Sequence, residues 1–184
     1  DTVSAIGTGD EDIPKHICVR PGTDSAMLSA MANVIYRKDL HDKEFLREYC
    51  FGFYPGDTVV SRSSRKHPVT GEDYYGKTFT VPSGQSFVEY LDKLEEKHGG
   101  YHGVLAWASK LTGTPADVIE RFAIHYATTK PAFICSRFTG PQRTNNGMYF
   151  SWMLIALTAI TGNSTKRGGG CGEITPRDGY SVEY

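Results

Sequence analysis

The stretch KPAFICSRFTGPQRTNNGMYFSWMLIALTAITGN, residues 130–163, decides the fold of this chain. Pro131 precedes a short apolar run at residues 132–135, which is too brief for a helix and predicts a buried strand. A polar loop at residues 136–147 follows, and then an apolar segment at residues 148–160, ended by Gly162, that predicts a core helix. Strand, loop and helix in this order predict a half-unit of an α/β sheet.

The loop between this strand and helix carries groups that suit an anionic ligand. Ligands of α/β sheets lie outside the carboxyl end of a strand, beside the N-terminus of the following helix. Gly140 would let a ligand approach the backbone, and the planar guanidinium of Arg143 suits phosphate oxygens. A solvated turn that only links strand to helix would have the same composition, so both interpretations stay open.

A second segment of the same kind lies near the start of the chain. Residues 17–19 form a short apolar run that predicts a strand, and the Pro-Gly pair after Arg20 predicts a turn. Apolar residues then recur at helical spacing through residues 24–37. Thr23 and Asp24 are good capping and first-turn residues, a role worth about 0.5 to 2 kcal/mol. Capping and ligand binding use the same end of a helix, so neither role excludes the other.

Local signals predict further helices and one irregular excursion. Asp42 predicts the cap of one helix, and the capping box of Ser86 and Glu89 predicts the start of a second, which ends at Gly99. A short helix is predicted at residues 105–111, before a stop at Gly113. Thr114 and Pro115 predict the start of the next helix. Residues 54–84 show no helical period and predict either an excursion in which residues 58–61 and 78–81 pair as a hairpin, or a surface insertion. Residues 173–184 show no period and predict a tail.

Composition and length limit the class of function. With 20 basic and 21 acidic residues, the charge balance offers no electrostatic case for a nucleic-acid or anionic membrane surface. The mainly apolar segment at residues 148–160 is too short to span a membrane. A chain of 184 residues is long enough for one core. The polar start at residues 1–15 predicts a flexible lead-in, and we expect a single α/β cofactor-binding domain, residues 1–184, excised from a longer chain.

The sequence lacks the common catalytic and metal-binding signatures. Its 4 cysteines form no CxxC pair and its 6 histidines show no HExxH spacing, which argues against zinc, iron–sulfur and thioredoxin-like chemistry in this stretch. Cys18 and Cys135 lie in apolar runs and are expected to be core thiols. Cys171, beside the glycine run at residues 168–170, has no histidine placed by sequence to activate it. We therefore predict neither a catalytic residue nor a metal ligand.

Several segments occur in a fixed order: RPGTDSAMLSAMANVI, LHDKEFLREYCFGF, WASKLTGTPADVIERFA, TKPAF, GPQRTNNG, and LTAITGN followed by RGGG. Together they resemble the third domain of the large catalytic subunits of the dimethyl sulfoxide reductase family of molybdopterin oxidoreductases, of the anaerobic A-chain type. The resemblance implies a three-layer, Rossmann-like α/β domain with a short, mainly parallel sheet flanked by helices.

The same resemblance implies a cofactor site. Members of the family use the PGTD turn and the GPQR loop to hold the guanosine and phosphate end of molybdopterin guanine dinucleotide. The matching residues here are Gly22, Thr23 and Asp24 in the turn, and Thr139, Gly140, Gln142 and Arg143 in the loop. A carboxylate such as Asp24 can accept hydrogen bonds from guanine N1–H and the amino group together, a donor pair that adenine lacks. Family members often carry Trp at the position of Thr139 and His at that of Thr144, which this chain does not.

The resemblance also implies what the intact enzyme would do. It would hold molybdenum in two molybdopterin guanine dinucleotides (bis-MGD), carry a 4Fe–4S cluster elsewhere in the full chain, and reduce S-oxides or N-oxides such as dimethyl sulfoxide. It would be a periplasmic enzyme of anaerobic respiration. Its partners would be the remaining domains of the same catalytic subunit, an iron–sulfur electron-transfer subunit and a membrane anchor. The isolated 184 residues are expected to bind no cofactor and to be inactive. The alternative, from another class, is a non-catalytic α/β protein-interaction module.

Overall fold

One helix, α1 (Asp24–Arg37), lies at the centre of the computed structural model, which describes residues 16–137 and 140–174. Every residue from Ala26 to Ile35 is buried, so α1 is covered on all sides. Small side chains such as Ala30 and Ala32, both fully buried, allow the neighbouring helices to approach closely. The predicted bounds of this helix are confirmed.

The other elements follow in chain order. They are α2 (Lys43–Tyr49), β1 (Thr58–Val60), β2 (Thr78–Thr80), α3 (Phe87–His98), α4 (Tyr101–Thr112), α5 (Ala116–Thr128), β3 (Phe133–Arg137), α6 (Met148–Ile160) and β4 (Gly170–Ile174). Helices α3, α4, α5 and α6 all pack against α1. Strands β1 and β2 form an antiparallel hairpin, and β3 pairs with β4 in parallel. The predicted α/β class is confirmed, and in the described ranges the parallel sheet has two strands.

Several local predictions are confirmed at the level of single hydrogen bonds. The Asp42 carboxylate accepts from the backbone N–H of Phe45 across 3.1 Å and caps α2. Ser86 and Glu89 form the capping box of α3, and Gly99 ends that helix in the left-handed conformation. The predicted hairpin in the insertion forms, with Val59 opposite Phe79.

The predictions for the first apolar run and for two cysteines are wrong. Residues 16–20 form no strand. The carbonyl oxygen of Cys18 instead accepts from the Thr114 hydroxyl at 3.0 Å, and the backbone N–H of Arg20 donates to Thr112. The run is thus bonded to the loop after α4 rather than to a strand. Cys18 and Cys135 are exposed rather than core thiols, because so short an apolar run does not indicate which side is covered.

Three boundaries also differ from the predictions. Helix α4 begins at Tyr101 rather than at residue 105. Pro115 precedes α5 instead of being its first helical residue, since the Thr114 hydroxyl bonds to Cys18 and does not cap the helix. Strand β4 reaches Ile174, inside the predicted tail, because its backbone pairs with β3 despite its glycines. The lead-in at residues 1–15 and the rest of the tail lie outside the described residues.

The predicted core helix at residues 148–160 forms, but only one of its sides is buried. Phe150, Met153, Leu154, Leu157 and Ile160 point inward, and α1 packs against α6. Its other side is exposed. Among the described residues, no helix has both the length and the apolar character needed to cross a membrane.

A buried amide ties the end of α6 to the start of β3. Asn163, which is fully buried, accepts from the backbone N–H of Ala132 at 3.0 Å and donates to the Thr161 hydroxyl at 2.8 Å. The sequence segment TGN thereby fixes where β3 begins relative to α6. The position of the loop that connects β3 to α6 depends on this junction.

We expect the free energy of unfolding to decrease when the pH drops under about 6.5, the ordinary pKa of histidine. The group responsible is His41. Its side chain is 5% exposed, with ring centroids 5.0 Å from Tyr36 and 6.1 Å from Phe53. Burial lowers the pKa of His41, although Asp39 opposes this. The unfolded chain therefore takes up a proton at a higher pH than the folded chain does, and stability is lost as the pH falls toward the folded pKa.

Urea unfolding between about pH 8 and pH 5 tests this. His41→Phe keeps an aromatic ring at this position and removes the titrating group, so it should flatten the dependence of stability on pH. His102→Gln, at an exposed position, should not.

The pKa of Glu89 is lowered by its hydrogen bonds with Ser86, and that of Glu120 by Lys38. Their contributions are therefore lost only at more acidic pH. An unchanged slope in His41→Phe would contradict the assignment.

Candidate functional site

The two turns predicted to grip a ligand lie side by side. Gly22 adopts a φ of 82°, a left-handed conformation that favours glycine. A Cβ atom built on Gly22 would lie 3.4 Å from Cγ2 of Thr144. The turn before α1 and the loop before α6 are therefore in contact range, although more than a hundred residues separate them.

Arg20 holds the first turn against the end of α4. Its backbone N–H donates to the carbonyl of Thr112 at 2.9 Å, and its guanidinium donates to the carbonyl of Lys110 at 3.0 Å. Carbonyl groups at a helix C-terminus have no partner within the helix and favour a cation. The carbonyl of Arg20 in turn accepts from the Thr23 hydroxyl at 2.7 Å. One arginine thus positions the turn in which Gly22 lies.

The loop before α6 is a compact structure with its own hydrogen bonds. Pro141–Arg143 form a single 3-10 turn. The Thr144 hydroxyl donates to the carbonyl of Pro141 at 2.7 Å, and the N–H of Gly147 donates to the carbonyl of Thr144 at 2.9 Å. A Cβ atom at residue 147 would collide with the carbonyl oxygens of Gln142 and Pro141, the latter 2.6 Å away. This close return of the chain requires glycine at residue 147.

A groove of about 860 Å³ opens beside these turns. Its polar end is formed by residues of the two turns. They are Gly22, Thr23, Thr144, Asn145 and Asn146. The rest of the lining is mainly apolar and comes from the first turns of α1 and from α3, α4 and α6. Its volume falls within the range of about 300–1,000 Å³ usual for ligand sites.

The predicted site residues differ in their relation to this groove. Gly22 and Thr23 line it, and Asp24, the first residue of α1, is partly exposed next to them. Gly140 and Gln142 are partly buried in the loop, and Arg143 is exposed on it. Thr139 lies outside the described residues. The assignment of these residues to a cofactor therefore stays a prediction.

The alternative role of Thr23 as a helix cap is only partly fulfilled. Thr23 occupies the N-cap position of α1, but in the described part of the chain its side chain accepts no hydrogen bond from the helix. Its hydroxyl donates backwards to Arg20 instead. The N–H groups of Asp24 and Ser25 belong to the first turn of α1 and have no acceptor within the helix. The helix start thus presents donors beside the polar end of the groove.

Metal-binding side chains do not converge in the part of the chain that the structure describes. Within residues 16–137 and 140–174, no group of 3 or more His, Cys, Asp or Glu side chains is arranged to hold an ion. Cys171 is exposed on β4. The polar end of the groove contains hydroxyl, amide and backbone groups, which suit hydrogen bonding more than nucleophilic chemistry.

Comparison with known proteins identifies the family. The chain is 34% identical to the dimethyl sulfoxide reductase DmsA of Escherichia coli K12 over 184 residues, and 33% identical to DmsA of Haemophilus influenzae over 178 residues. These alignments cover 100% and 97% of this chain. The chain belongs to the dimethyl sulfoxide reductase family. No protein-family model matches it.

The chain is also similar to a second kind of reductase in the dimethyl sulfoxide reductase family, and it matches only part of each relative. It is 32% identical over 158 residues to trimethylamine-N-oxide reductase 1 of Escherichia coli K12, an alignment that covers 86% of the chain. It spans 19% of the length of the two DmsA proteins and 14% of that reductase. The expected family is thus confirmed, and the match is to a small part of each relative.

Sequence reasoning missed two residues that shape the site of this family member. Arg20 was seen only as the end of an apolar run, because its partners Lys110 and Thr112 are some ninety residues away in sequence. Gly147 was placed at the end of the loop with no role of its own. Its position directly before an apolar helix was the available signal, since a glycine there often marks a close backbone approach.

Proposed function

We propose that this chain is part of the third, α/β domain of the large catalytic subunit of a molybdenum-dependent oxidoreductase that reduces S-oxides or N-oxides. In this proposal its two turns contribute to binding a molybdopterin guanine dinucleotide. The observation that carries it is the contact of the turn at Gly22 with the loop at Thr144, side by side at the polar end of one groove. The family relationship supplies the cofactor class.

The chemistry of the residues fits this cofactor. The partly exposed Asp24 carboxylate can accept from guanine N1–H and its amino group, and the backbone N–H groups that open α1 can donate to phosphate oxygens. Gly22, without a side chain, leaves the backbone of the turn accessible. Arg143, exposed on the adjoining loop, adds a positive charge. When bound, bis-MGD supplies the molybdenum at which an oxygen atom is transferred.

The wider setting of the proposal is what the family resemblance implies. The intact catalytic subunit would carry its other cofactor-binding domains and a 4Fe–4S cluster outside these residues. It would lie in the periplasm and receive electrons from an iron–sulfur subunit held by a membrane anchor. This chain would hold one end of the dinucleotide and take no part in the oxygen transfer itself.

Replacing Asp24 with asparagine tests the proposal in the full-length reductase. We expect the purified variant to contain at most about one tenth of the guanine dinucleotide found in the unsubstituted reductase. The reason is that a hydrogen bond to a charged group contributes about 1.5–3 kcal/mol. Its melting temperature should change little, because an acid in the first turn of a helix contributes only about 0.3–1 kcal/mol. The measurements are nucleotide content after purification and a thermal melt.

A matched control is Glu44→Gln, which removes an exposed acid from the first turn of α2. It should leave nucleotide content unchanged. If Asp24→Asn lowers the melting temperature strongly and the dinucleotide still loads, Asp24 stabilises the helix and does not bind the base.

A non-catalytic interaction module is the second candidate, because α6 leaves large apolar side chains exposed. Titration of the cofactor-free, full-length reductase with guanine nucleotide and with adenine nucleotide separates the two functions. Selective binding of the guanine form supports the cofactor role, whereas binding of neither supports the interaction module.

A further inference from the structure

Asn146 has an unusual backbone conformation for a residue with a side chain. Its φ is 62°, in the left-handed region, and within the described residues Asp39, with a φ of 57°, is the other non-glycine residue with a positive φ. A side chain crowds the backbone at these angles, although asparagine tolerates them better than most residues do. Glycine adopts them without steric cost. The turn alone therefore gives no reason for a side chain at position 146.

The backbone around Asn146 is held by hydrogen bonds of the loop. The N–H of Tyr149 donates to the carbonyl of Asn146 at 3.0 Å, and the N–H of Gly147 donates to the carbonyl of Thr144 at 2.9 Å. Gly147 itself is buried. The loop and the first turn of α6 thus fix the point from which the Asn146 side chain projects.

The side chain of Asn146 is available for binding at the polar end of the groove. Asn146 lines the groove together with Gly22 and Thr23 of the other turn, and it is exposed. No hydrogen bond joins its amide to any residue in the ranges 16–137 and 140–174. The amide therefore contributes nothing to the internal bonding of the loop. A left-handed residue of this kind, held in place by its surroundings, is typical of ligand-binding positions.

The amide of Asn146 differs in chemistry from the other groups proposed to hold the dinucleotide. The Asp24 carboxylate only accepts hydrogen bonds, whereas the guanidinium of Arg143 and the backbone N–H groups that open α1 only donate them. An asparagine amide does both. The base edge and the ribose of guanosine present donors and acceptors together, while an ionised phosphate presents acceptors alone. The amide thus suits the guanosine better than the phosphates.

We propose that Asn146 is a further ligand-binding residue, whose side-chain amide forms hydrogen bonds with the guanosine of the dinucleotide. Its left-handed backbone directs that amide into the groove. The inference rests on the proposed cofactor role of the two turns, and it adds a contact that lies outside the GPQR segment.

Asn146→Gly in the full-length reductase removes the amide and keeps the backbone angles. We expect the purified variant to contain at most about one third of the guanine dinucleotide found in the unsubstituted reductase, the loss expected for one or two neutral hydrogen bonds. Asn146→Asp keeps the size of the side chain but replaces the donor with a negative charge, so its content should be lower still. The control is Asp39→Gly, the same change at a left-handed residue that does not line the groove. It should leave the content unchanged.

Two further measurements separate binding from loop structure. Hydrogen exchange at residue 147 and the melting temperature should be the same in Asn146→Gly as in the unsubstituted reductase, because glycine accepts a φ of 62°. An unchanged dinucleotide content in Asn146→Gly would overturn the inference and leave Asn146 with a conformational role only. A reduced content with faster exchange at residue 147 would also overturn it, since the loop itself would then have changed.

Failure of this inference can be told apart from failure of the cofactor proposal. Loss of the dinucleotide in Asp24→Asn with full content in Asn146→Gly would remove the Asn146 contact alone. Loss in Asn146→Gly with full content in Asp24→Asn would keep the Asn146 contact and remove that of Asp24. A full-length reductase that contains no guanine nucleotide would remove the cofactor role, and this inference with it.

Discussion

Replacing Met31 with alanine is expected to lower the free energy of unfolding of the described domain by about 2–5 kcal/mol, the usual cost of truncating a buried methionine. Met31 is fully buried in the middle of α1, the helix against which α3, α4, α5 and α6 all pack. The cavity left by its side chain would lie between helices that are held by one another and cannot collapse freely. Such a loss is a large share of the about 5–15 kcal/mol that stabilises a typical domain.

Ile155→Ala is the matched control for this experiment. It also removes a large apolar side chain from a helix, but from an exposed position. In the 184-residue chain its effect should stay within about 0.5 kcal/mol, as for most surface substitutions. Urea unfolding of both variants at one pH gives the comparison. Equal losses in the two variants would mean that α1 is not the centre of the core.

The central place of α1 was only partly predictable from the sequence. The helical spacing of residues 24–37 gives its bounds, and the alanines among them are compatible with close packing. However, spacing shows that one face of a helix is apolar, and it does not show how many neighbours cover that helix. Helix α6 presents the converse case. Its composition predicts burial on every side, whereas the chain covers one side alone.

Predictions from short-range signals proved the most accurate. The capping box of Ser86 and Glu89 and the cap by Asp42 depend on residues three apart, so the sequence alone contains both partners. Strand β4 had no such signal, because its glycines show neither alternation nor a turn motif. It forms through pairing with β3, which is a long-range contact.

In the candidate site, too, short-range features could be predicted and long-range contacts could not. Its glycine-bearing turn and polar loop could be recognised locally, and the family resemblance connected them to one ligand. Their contact at Gly22 and Thr144 depends on tertiary structure, as does the anchoring of the turn by Arg20 on the end of α4. A sequence indicates which groups are available, and the packing of α1 against α6 decides which of them meet.

In the full-length reductase, Gly147→Ala is expected to weaken guanine nucleotide binding by at least about tenfold, which corresponds to about 1.4 kcal/mol. Gly147 has ordinary helical angles, φ −58° and ψ −21°, so alanine meets no backbone strain there. The added methyl would instead collide with the carbonyl oxygens of Gln142 and Pro141. These are backbone atoms that cannot rotate away, so the whole loop must move. Thr144 would then leave its place beside Gly22.

Two measurements separate this displacement from a general loss of stability. Hydrogen exchange at residue 147 reports on the bond from its N–H to the carbonyl of Thr144, 2.9 Å long in the native loop, and protection should fall there while it persists in α1. Asn145→Ala changes an exposed side chain of the same loop and should leave that protection intact. A protected amide with unchanged nucleotide affinity in Gly147→Ala would show that the loop tolerates the methyl. If exchange rises at residue 147 but affinity holds, the loop has moved without consequence for the nucleotide, and the ligand is held elsewhere.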